Sequence, residues 1–346
     1  MPITYGSEVK DKTFSASIKV LMKNKKMEAV CSLCNNQLSI KLISDININK
    51  KIYNIFFCKE CKVGCTIPVP SFQELSKLYS TGNYRTADGS RFIPAIESFI
   101  YLYQLLRKRR IKQYIKRGQI LDIGCARGDF LNLMRNDGWL VKGVEFNKET
   151  ASYAAETYGI EVLFGGLLEC GFSAESFDVI NISHVLEHCH KPREVIAECE
   201  RLLRKRGLVI VRVPNMFSLQ AVVGKRSWFH LDLPNHLYHF SEKGLMKLLI
   251  RESFSILKIR RFHIEHSPFG WLQTMLNVSG IRLNLLYDFL KSSELNRKKF
   301  DSADHRGLIL TFVLMPLYMP MSFMLSVFES FILKKGGVIE IYAFKK

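Results

Sequence analysis

The sequence predicts an α/β protein built on a parallel sheet, with a small cysteine-bound module ahead of it and a helical, apolar segment behind. Three observations carry this reading. Residues 117–129, Arg-Gly-Gln-Ile-Leu-Asp-Ile-Gly-Cys-Ala-Arg-Gly-Asp, join a short apolar strand to a glycine turn and a helix start. From there to Pro214, apolar strands alternate with segments of helical period, the pattern of a parallel sheet covered by helices. Ahead of both, Cys31 and Cys34, then Cys58 and Cys61, form two Cys-x-x-Cys pairs.

In chain order, residues 1–27 read as a tail. It lacks the charged start and apolar run of a secretory signal, so a reducing, cytoplasmic setting is expected. Residues 28–70 hold the two cysteine pairs, each presenting two thiolates from one tight turn. Four sulfurs make a closed tetrahedral site suited to structural Zn²⁺ and leave no open position for catalysis. Disulfides fit a reducing compartment poorly. Two strand-like runs between the pairs, Gln37–Ile43 and Tyr53–Phe57, make the module a zinc ribbon. Cys65 can replace one ligand, although a spare buried thiol is the simpler account, and the remaining cysteines read as core. Residues 71–116 form a helical linker, whose helix starts at Pro94, a residue suited to a first helical position, and runs to about Lys116.

The glycine turn is built to hold a small ligand. Gly124 and Gly128 supply backbone that takes positive φ and lets a ligand approach closely. Asp122 ends the strand before the turn, and Glu145 ends the next strand, Leu140–Glu145, where its carboxylate can accept from ribose hydroxyls. A dinucleotide site needs glycines at the first, third and sixth turn positions, which here hold Gly124, Ala126 and Asp129. A carboxylate at the sixth position opposes a pyrophosphate. S-adenosylmethionine carries no phosphate and sets a sulfonium and an ammonium against one carboxylate, so charge favours it. Further on, Phe177–Ile182 reads as a buried strand, Arg193–Arg204 as a helix and Gly207–Val213 as a strand stopped by Pro214-Asn215.

The spacing Asp122-x-Gly124-x-Ala126-x-Gly128 resembles the first motif of class I methyltransferases, with Ala126 where a middle glycine is usual. The later segments are similar to those of the family that includes ubiquinone-type and lipopolysaccharide-cluster methyltransferases. Pro68–Tyr79 resembles the linker of members that carry an N-terminal zinc ribbon. The resemblance reaches to about residue 262. It implies a Rossmann-like seven-stranded sheet with helices on both faces, a core over 117–262 and a last strand over 337–346. It further implies S-adenosylmethionine as methyl donor, held by Asp122, Gly124, Cys125, Ala126, Gly128, Glu145, Phe146, Gly166, Leu167 and Ser183. Gly166 stands where the family carries an acid for the adenine amino group, so backbone at Gly166 and Leu167 is expected to take that contact; Phe146, directly after Glu145, either packs on the adenine face or is plain core.

Methyl transfer needs an aligned nucleophile and a group to take its proton. His184 and His188 flank the turn after the fourth strand, at the sheet edge where open α/β folds bind ligands. His188 reads equally as a cap of the next helix, and Glu187 either orients a ring or only favours the helix start. A second group, His230, His236 and His239, lies with aromatics in an apparent loop, Trp228–Ser241. Asn235–Ser241 resembles the Glu-His-x-x-Tyr-Phe-Ser segment of zinc-containing sugar C-methyltransferases. His236 falls on their base, with Asn235 in place of the glutamate. His184 and His236 are thus the candidate bases, with His239 beside them, and Ser241 caps a helix over Glu242–Arg251.

Residues 263–336 form a helical, apolar insertion. From Leu308 to Phe328 no residue is charged, a length that suffices for one membrane crossing of about 20 residues. Yet Gly337–Phe344 looks like the last antiparallel strand, beside Ser255–Phe262, and a segment that had crossed could not return to it. Pro316 and Pro320 are expected to divide the run into a hairpin. That hairpin either dips into one leaflet, flanked by Arg306, Lys334 and Lys335, or closes over the site as a lid. The net charge of +18 is spread along the chain rather than gathered in one module. No nucleic acid is therefore expected, and the surplus suits an anionic membrane or a phosphorylated substrate. The combined reading is O-methylation of a small-molecule or lipid-linked glycan acceptor in surface-glycan assembly, in the cytoplasm or at the inner face of the membrane. The alternatives are C-methylation of a nucleotide-linked keto-sugar through His236, and a non-catalytic zinc-containing membrane adaptor.

Overall fold

The computed structural model describes residues 21–23, 26–48, 50–71, 74–75, 92, 94–291 and 300–346. Most of the expected tail, and most of the linker before Pro94, lie outside the described residues.

The front of the chain forms two small antiparallel sheets. Strands β1 (Leu21–Lys23), β2 (Lys26–Val30) and β3 (Gln37–Leu38) make one, and β4 (Ile40–Ile48), β5 (Lys51–Cys58) and β6 (Val63–Ile67) make a meander in the other. Along β5, Tyr53 and Ile55 are buried while Ile52 is exposed, the alternation of a half-covered sheet.

The core is one seven-stranded sheet. In chain order its strands are β7 (Gln119–Ile123), β8 (Leu140–Glu145), β9 (Val162–Phe164), β10 (Phe177–Ser183), β11 (Leu203–Pro214), β13 (Phe254–Arg260) and β14 (Val338–Lys345). Their spatial order is β13-β14-β11-β10-β7-β8-β9, with β14 antiparallel to both its neighbours. Central β10 and β11 bury near-continuous apolar runs, as strands covered on both faces must. Strand order reverses between β7 and β10, so the crevice at their carboxyl ends is where such a sheet binds a ligand.

The covering helices follow from period and caps. Helices α1 (Pro94–Lys112) and α2 (Asp129–Arg135) precede α3 (Lys148–Tyr158), which is capped by Asn147 accepting from Thr150 N–H at 2.8 Å. In α4 (Pro192–Leu202) the buried residues Val195, Ile196, Cys199 and Leu202 make one stripe. Short α5 (Leu219–Gly224) is followed by α6 (Glu242–Arg251), where Ser241 Oγ accepts from Gly244 N–H at 2.9 Å. Helix α1 stops short of Lys116, and β11 starts at Leu203, earlier than the expected Gly207, because Leu203 pairs with Phe177.

Two expectations are corrected. Residues 228–241 are not all loop: β12 (Tyr238–Phe240) pairs antiparallel with β6 and becomes the fourth strand of the ribbon's sheet. The apolar run is not a hairpin either. After α7 (Ser267–Val278) and α8 (Leu285–Leu290), α9 runs unbroken from Ser302 to Val327 through both prolines and ends in a π-turn, Phe328–Ile332. Pro316 and Pro320 lie on the exposed side, so their rings and the carbonyls they leave unpaired, Phe312 and Pro316, turn away from the packed side. The packed side rests on α7 and holds the helix together.

Candidate active site

The chain leaves β7 through Gly124 (φ 72°), Ala126 (φ 52°) and Gly128 (φ 77°) and enters α2. Both glycines are needed. A Cβ on Gly124 would stand 2.3 Å from Val185 Cγ2, and one on Gly128 would stand 3.1 Å from Ala154 Cβ. Ala126 adopts the left-handed conformation despite its Cβ and is held there by Glu145, whose Oε2 accepts from Ala126 N–H at 2.9 Å. Glu145 Oε1 accepts from Asn147 N–H, also at 2.9 Å, so the carboxylate is fixed at the end of β8 against the turn. The Cys125 side chain packs inward over Gly143, where a Cβ would meet Cys125 Sγ at 2.6 Å.

Asp122 lies beside Gly143 of β8 and Asn181 of β10, on the same sheet edge as Glu145. It is buried, accepts from the Asn181 amide, and has Arg107 Nη2 of α1 at 3.8 Å. Burial pushes its carboxyl pKa up, and Arg107 and Asn181 oppose that. The Arg107 guanidinium stacks 4.0 Å over the Phe130 ring, and its buried Nε and Nη2 have no hydrogen-bond acceptor among the described residues. Arg107 was not legible as a site residue, because it sits in a basic run that reads as solvated.

On the other side of β8, Phe146 is 40% exposed and Gly166 is in extended backbone. Leu167 is buried, which leaves its backbone rather than its side chain for a ligand. A carboxylate does stand at this edge: Glu169 Oε2 accepts from Gly166 N–H at 3.4 Å. Ser183 is the last residue of β10, beside Arg212 of β11.

His184 follows in a left-handed conformation (φ 56°). Its Nδ1 lies 3.5 Å from Glu187 Oε1, and its ring meets His266 edge-on at 4.7 Å between centroids. Glu187 is 1% exposed and sits among histidines from two segments, with His236 Nε2 at 4.0 Å from the same oxygen. Burial would raise the Glu187 carboxyl pKa, but His184, His188 and His236 outweigh it and hold it at about 2. Burial lowers the pKa of His184 and of His188, so both rings are neutral near pH 7. His188 is not a helix cap: its Nδ1 lies 3.0 Å from the Asn235 carbonyl, and its ring is 4.7 Å from that of His236. Asp232 Oδ2 is 3.8 Å from His236 Nε2. One ligand atom each from Glu187, His188 and His236 fall within 4.8 Å of one another. His184 and His236, far apart in sequence, thus share one carboxylate at the carboxyl edge of the sheet. His239 sits deeper, 3% exposed, with Nε2 3.0 Å from Thr66 Oγ1.

The four cysteines converge. Sγ atoms of Cys31 and Cys61 are 3.9 Å apart, those of Cys34 and Cys58 are 3.5 Å apart, and all four lie within 4.8 Å. Tetrahedral Zn²⁺ with bonds of roughly 2.3 Å sets sulfurs roughly 3.8 Å apart, so the donor set and its spacing fit. Cys65 is buried on β6 outside this set.

Residues 98–258 match the methyltransferase domain family. Among curated relatives, a probable S-adenosylmethionine-dependent methyltransferase of Mycolicibacterium smegmatis is 25% identical over 180 residues, 51% of this chain and 65% of that one. A ubiquinone biosynthesis O-methyltransferase of Maricaulis maris is 34% identical over 132 residues, 35% of this chain and 51% of that one. An uncharacterized protein of Methanocaldococcus jannaschii is 32% identical over 103 residues, 30% of this chain and 48% of that one. The chain thus spans about half to two thirds of the length of these relatives. Among solved structures, a putative sarcosine dimethylglycine methyltransferase from Galdieria sulphuraria covers 79% of this chain and 98% of its own, at 13% identity and a TM-score of 0.48.

Proposed function

We propose, from the premise that this chain carries a class I S-adenosylmethionine-dependent methyltransferase domain, that it transfers a methyl group to an oxygen of an amphiphilic acceptor. The lead candidate, suited to a basic chain with an exposed apolar helix, is a lipid-linked sugar or related intermediate of cell-surface glycan assembly. S-adenosylmethionine, when bound, supplies an electrophilic methyl group on a sulfonium.

The observation that carries this is the convergence, on one sheet edge, of a carboxylate-braced glycine turn and a histidine pair around a buried carboxylate. Glu145, already fixed by two amides, keeps lone pairs to accept from ribose hydroxyls. Arg107, with unpaired donors beside Asp122, is suited to a ligand carboxylate. His184 or His236 takes the proton of the acceptor hydroxyl, and ionised Glu187 stabilises the imidazolium that results. The cysteine module would hold Zn²⁺ as a structural group.

Calorimetry with S-adenosylmethionine tests the premise: no binding to folded, zinc-loaded protein would leave the adaptor reading. Incubating cell extracts with the protein and radiolabelled cofactor, then separating lipid from aqueous products, tests the acceptor. Label in a nucleotide-sugar carbon would favour C-methylation through His236.

A further inference from the structure

We propose that α9 is an in-plane membrane anchor, lying along one leaflet of an anionic bilayer with its outer face among the acyl chains, without crossing. The inference is independent of the methyl-transfer reading and rests on the polarity of the helix.

Its outward face is apolar while its packed face holds small hydroxyl residues. The side of α9 turned toward the protein buries Thr311, Ser322 and Ser326, each at most 2% exposed. Their hydroxyls donate back to the helix's own carbonyls, at Gly307 (2.9 Å), Met319 (2.7 Å) and Phe323 (2.8 Å). Beside them Leu308 joins Leu272 and Leu276 of α7 in one apolar cluster, against which Leu314 and Tyr318 pack. The outward side carries Ile309, Val313, Leu317 and Met324, and the π-turn adds Phe331, all 62–67% exposed. A helix at a water surface does the reverse, hiding its apolar stripe. Small residues on the packed side with large apolar side chains outside is the arrangement that lipid favours.

The same helix cannot cross. At its start Asp301 caps it by accepting from Asp304 N–H at 2.8 Å, and Asp304 accepts from Arg282 Nε at 2.7 Å. At its end buried Glu329 accepts from Trp271 Nε1 at 2.8 Å, and Ser330 Oγ donates to the Arg261 carbonyl at 3.1 Å. The chain then enters β14 inside the core sheet. Both ends are therefore fastened to one body on one side of any membrane, and α7 packs along the helix between them. Exposed Arg306, Lys334 and Lys335 bracket the uncharged stretch, on a chain of net charge +18. An anionic lipid surface complements that charge, whereas a second copy would set two such cationic chains against each other.

The test is flotation of the full, zinc-loaded chain with vesicles of phosphatidylcholine alone or mixed with phosphatidylglycerol. The protein should float with the mixed vesicles and less with the neutral ones. The exposed triple substitution Val313→Glu, Leu317→Glu, Met324→Glu should cut the bound fraction by about ten-fold or more, with unchanged circular dichroism. Singly introduced tryptophans (Phe312→Trp, Leu317→Trp, Met324→Trp) should all be quenched best by lipids brominated near the head group. Absence of flotation overturns the proposal. So does a wild-type dimer that the triple variant converts to monomer while neither floats, which would assign the face to a second copy. Deep quenching at Leu317→Trp with shallow quenching at the other two would indicate a crossing and also overturn it.

Discussion

Thr66 of the ribbon donates its hydroxyl to the main-chain carbonyl of His236 at 2.7 Å, and the same oxygen lies 3.0 Å from His239 Nε2. Thr66 N–H also donates to the Leu237 carbonyl at 3.0 Å. A strand of the cysteine module thus sets the position of a candidate base in the core. Thr66→Val keeps the shape but leaves buried acceptors unpaired, at a cost of about 1–3 kcal/mol. Urea unfolding should show that loss, and turnover with an identified acceptor should fall while cofactor affinity, read by calorimetry, stays within about two-fold.

Stripping zinc with a chelator, or Cys31→Ser, should reach the same histidine through the same strand. Bound zinc, measured by mass spectrometry, should be lost, with a lower melting temperature and loss of methyl transfer. Protein that keeps full activity without zinc would separate the ribbon from the site.

Glu145→Ala should weaken S-adenosylmethionine binding by about 10- to 100-fold in calorimetry, since it removes both the proposed ribose acceptor and the brace of Ala126. Gly124→Ala should be worse. Its Cβ would come 2.3 Å from Val185 Cγ2 at a φ of 72°, so both cofactor binding and thermal stability should drop.

The pKa of His184 lies below its ordinary value because the ring is buried, and Glu187 partly offsets this. A base must be neutral, so the acid limb of turnover should lie below the pH expected of an ordinary histidine. Glu187→Gln removes the offsetting negative charge. The acid limb should then move to lower pH, while the maximal rate falls because the imidazolium loses its partner. A limb unmoved by Glu187→Gln would count against both histidines as the base.

Acid should also unfold the protein early. His239 and His263 are buried, and burial depresses both to about 3. A group with a depressed folded pKa contributes stability that is complete above its unfolded value, about 6.5 for histidine, and lost as pH falls toward the folded value. Each such histidine should cost about 1.4 kcal/mol per pH unit below 6.5. Urea midpoints measured from pH 7.5 down to pH 5 should therefore fall steadily.

The glycine turn, the flanking strands and the cysteine pairs were legible because each is local: a spacing, a period or a stop signal fixes it. The helix over Glu242–Arg251 shows this well, since Ser241 and the apolar stripe define it without help from the rest of the chain. What escaped depends on partners distant in sequence. Tyr238–Phe240 is too short to announce a strand and becomes one only because β6 offers a free edge. Arg107 looks like its basic neighbours until Asp122 and Phe130 enclose it. Two prolines predicted a break in α9, but packing against α7 overrode that local preference.

The place of β14 has a consequence for how the protein is made. It inserts between β11 and β13, both of which precede it by the length of the whole helical segment. Until α7, α8 and α9 have been synthesised, those two strands face each other across a gap and each presents an unsatisfied edge. A nascent chain therefore carries an open, aggregation-prone sheet together with an oily helix, and closing the one requires the other to find its place first.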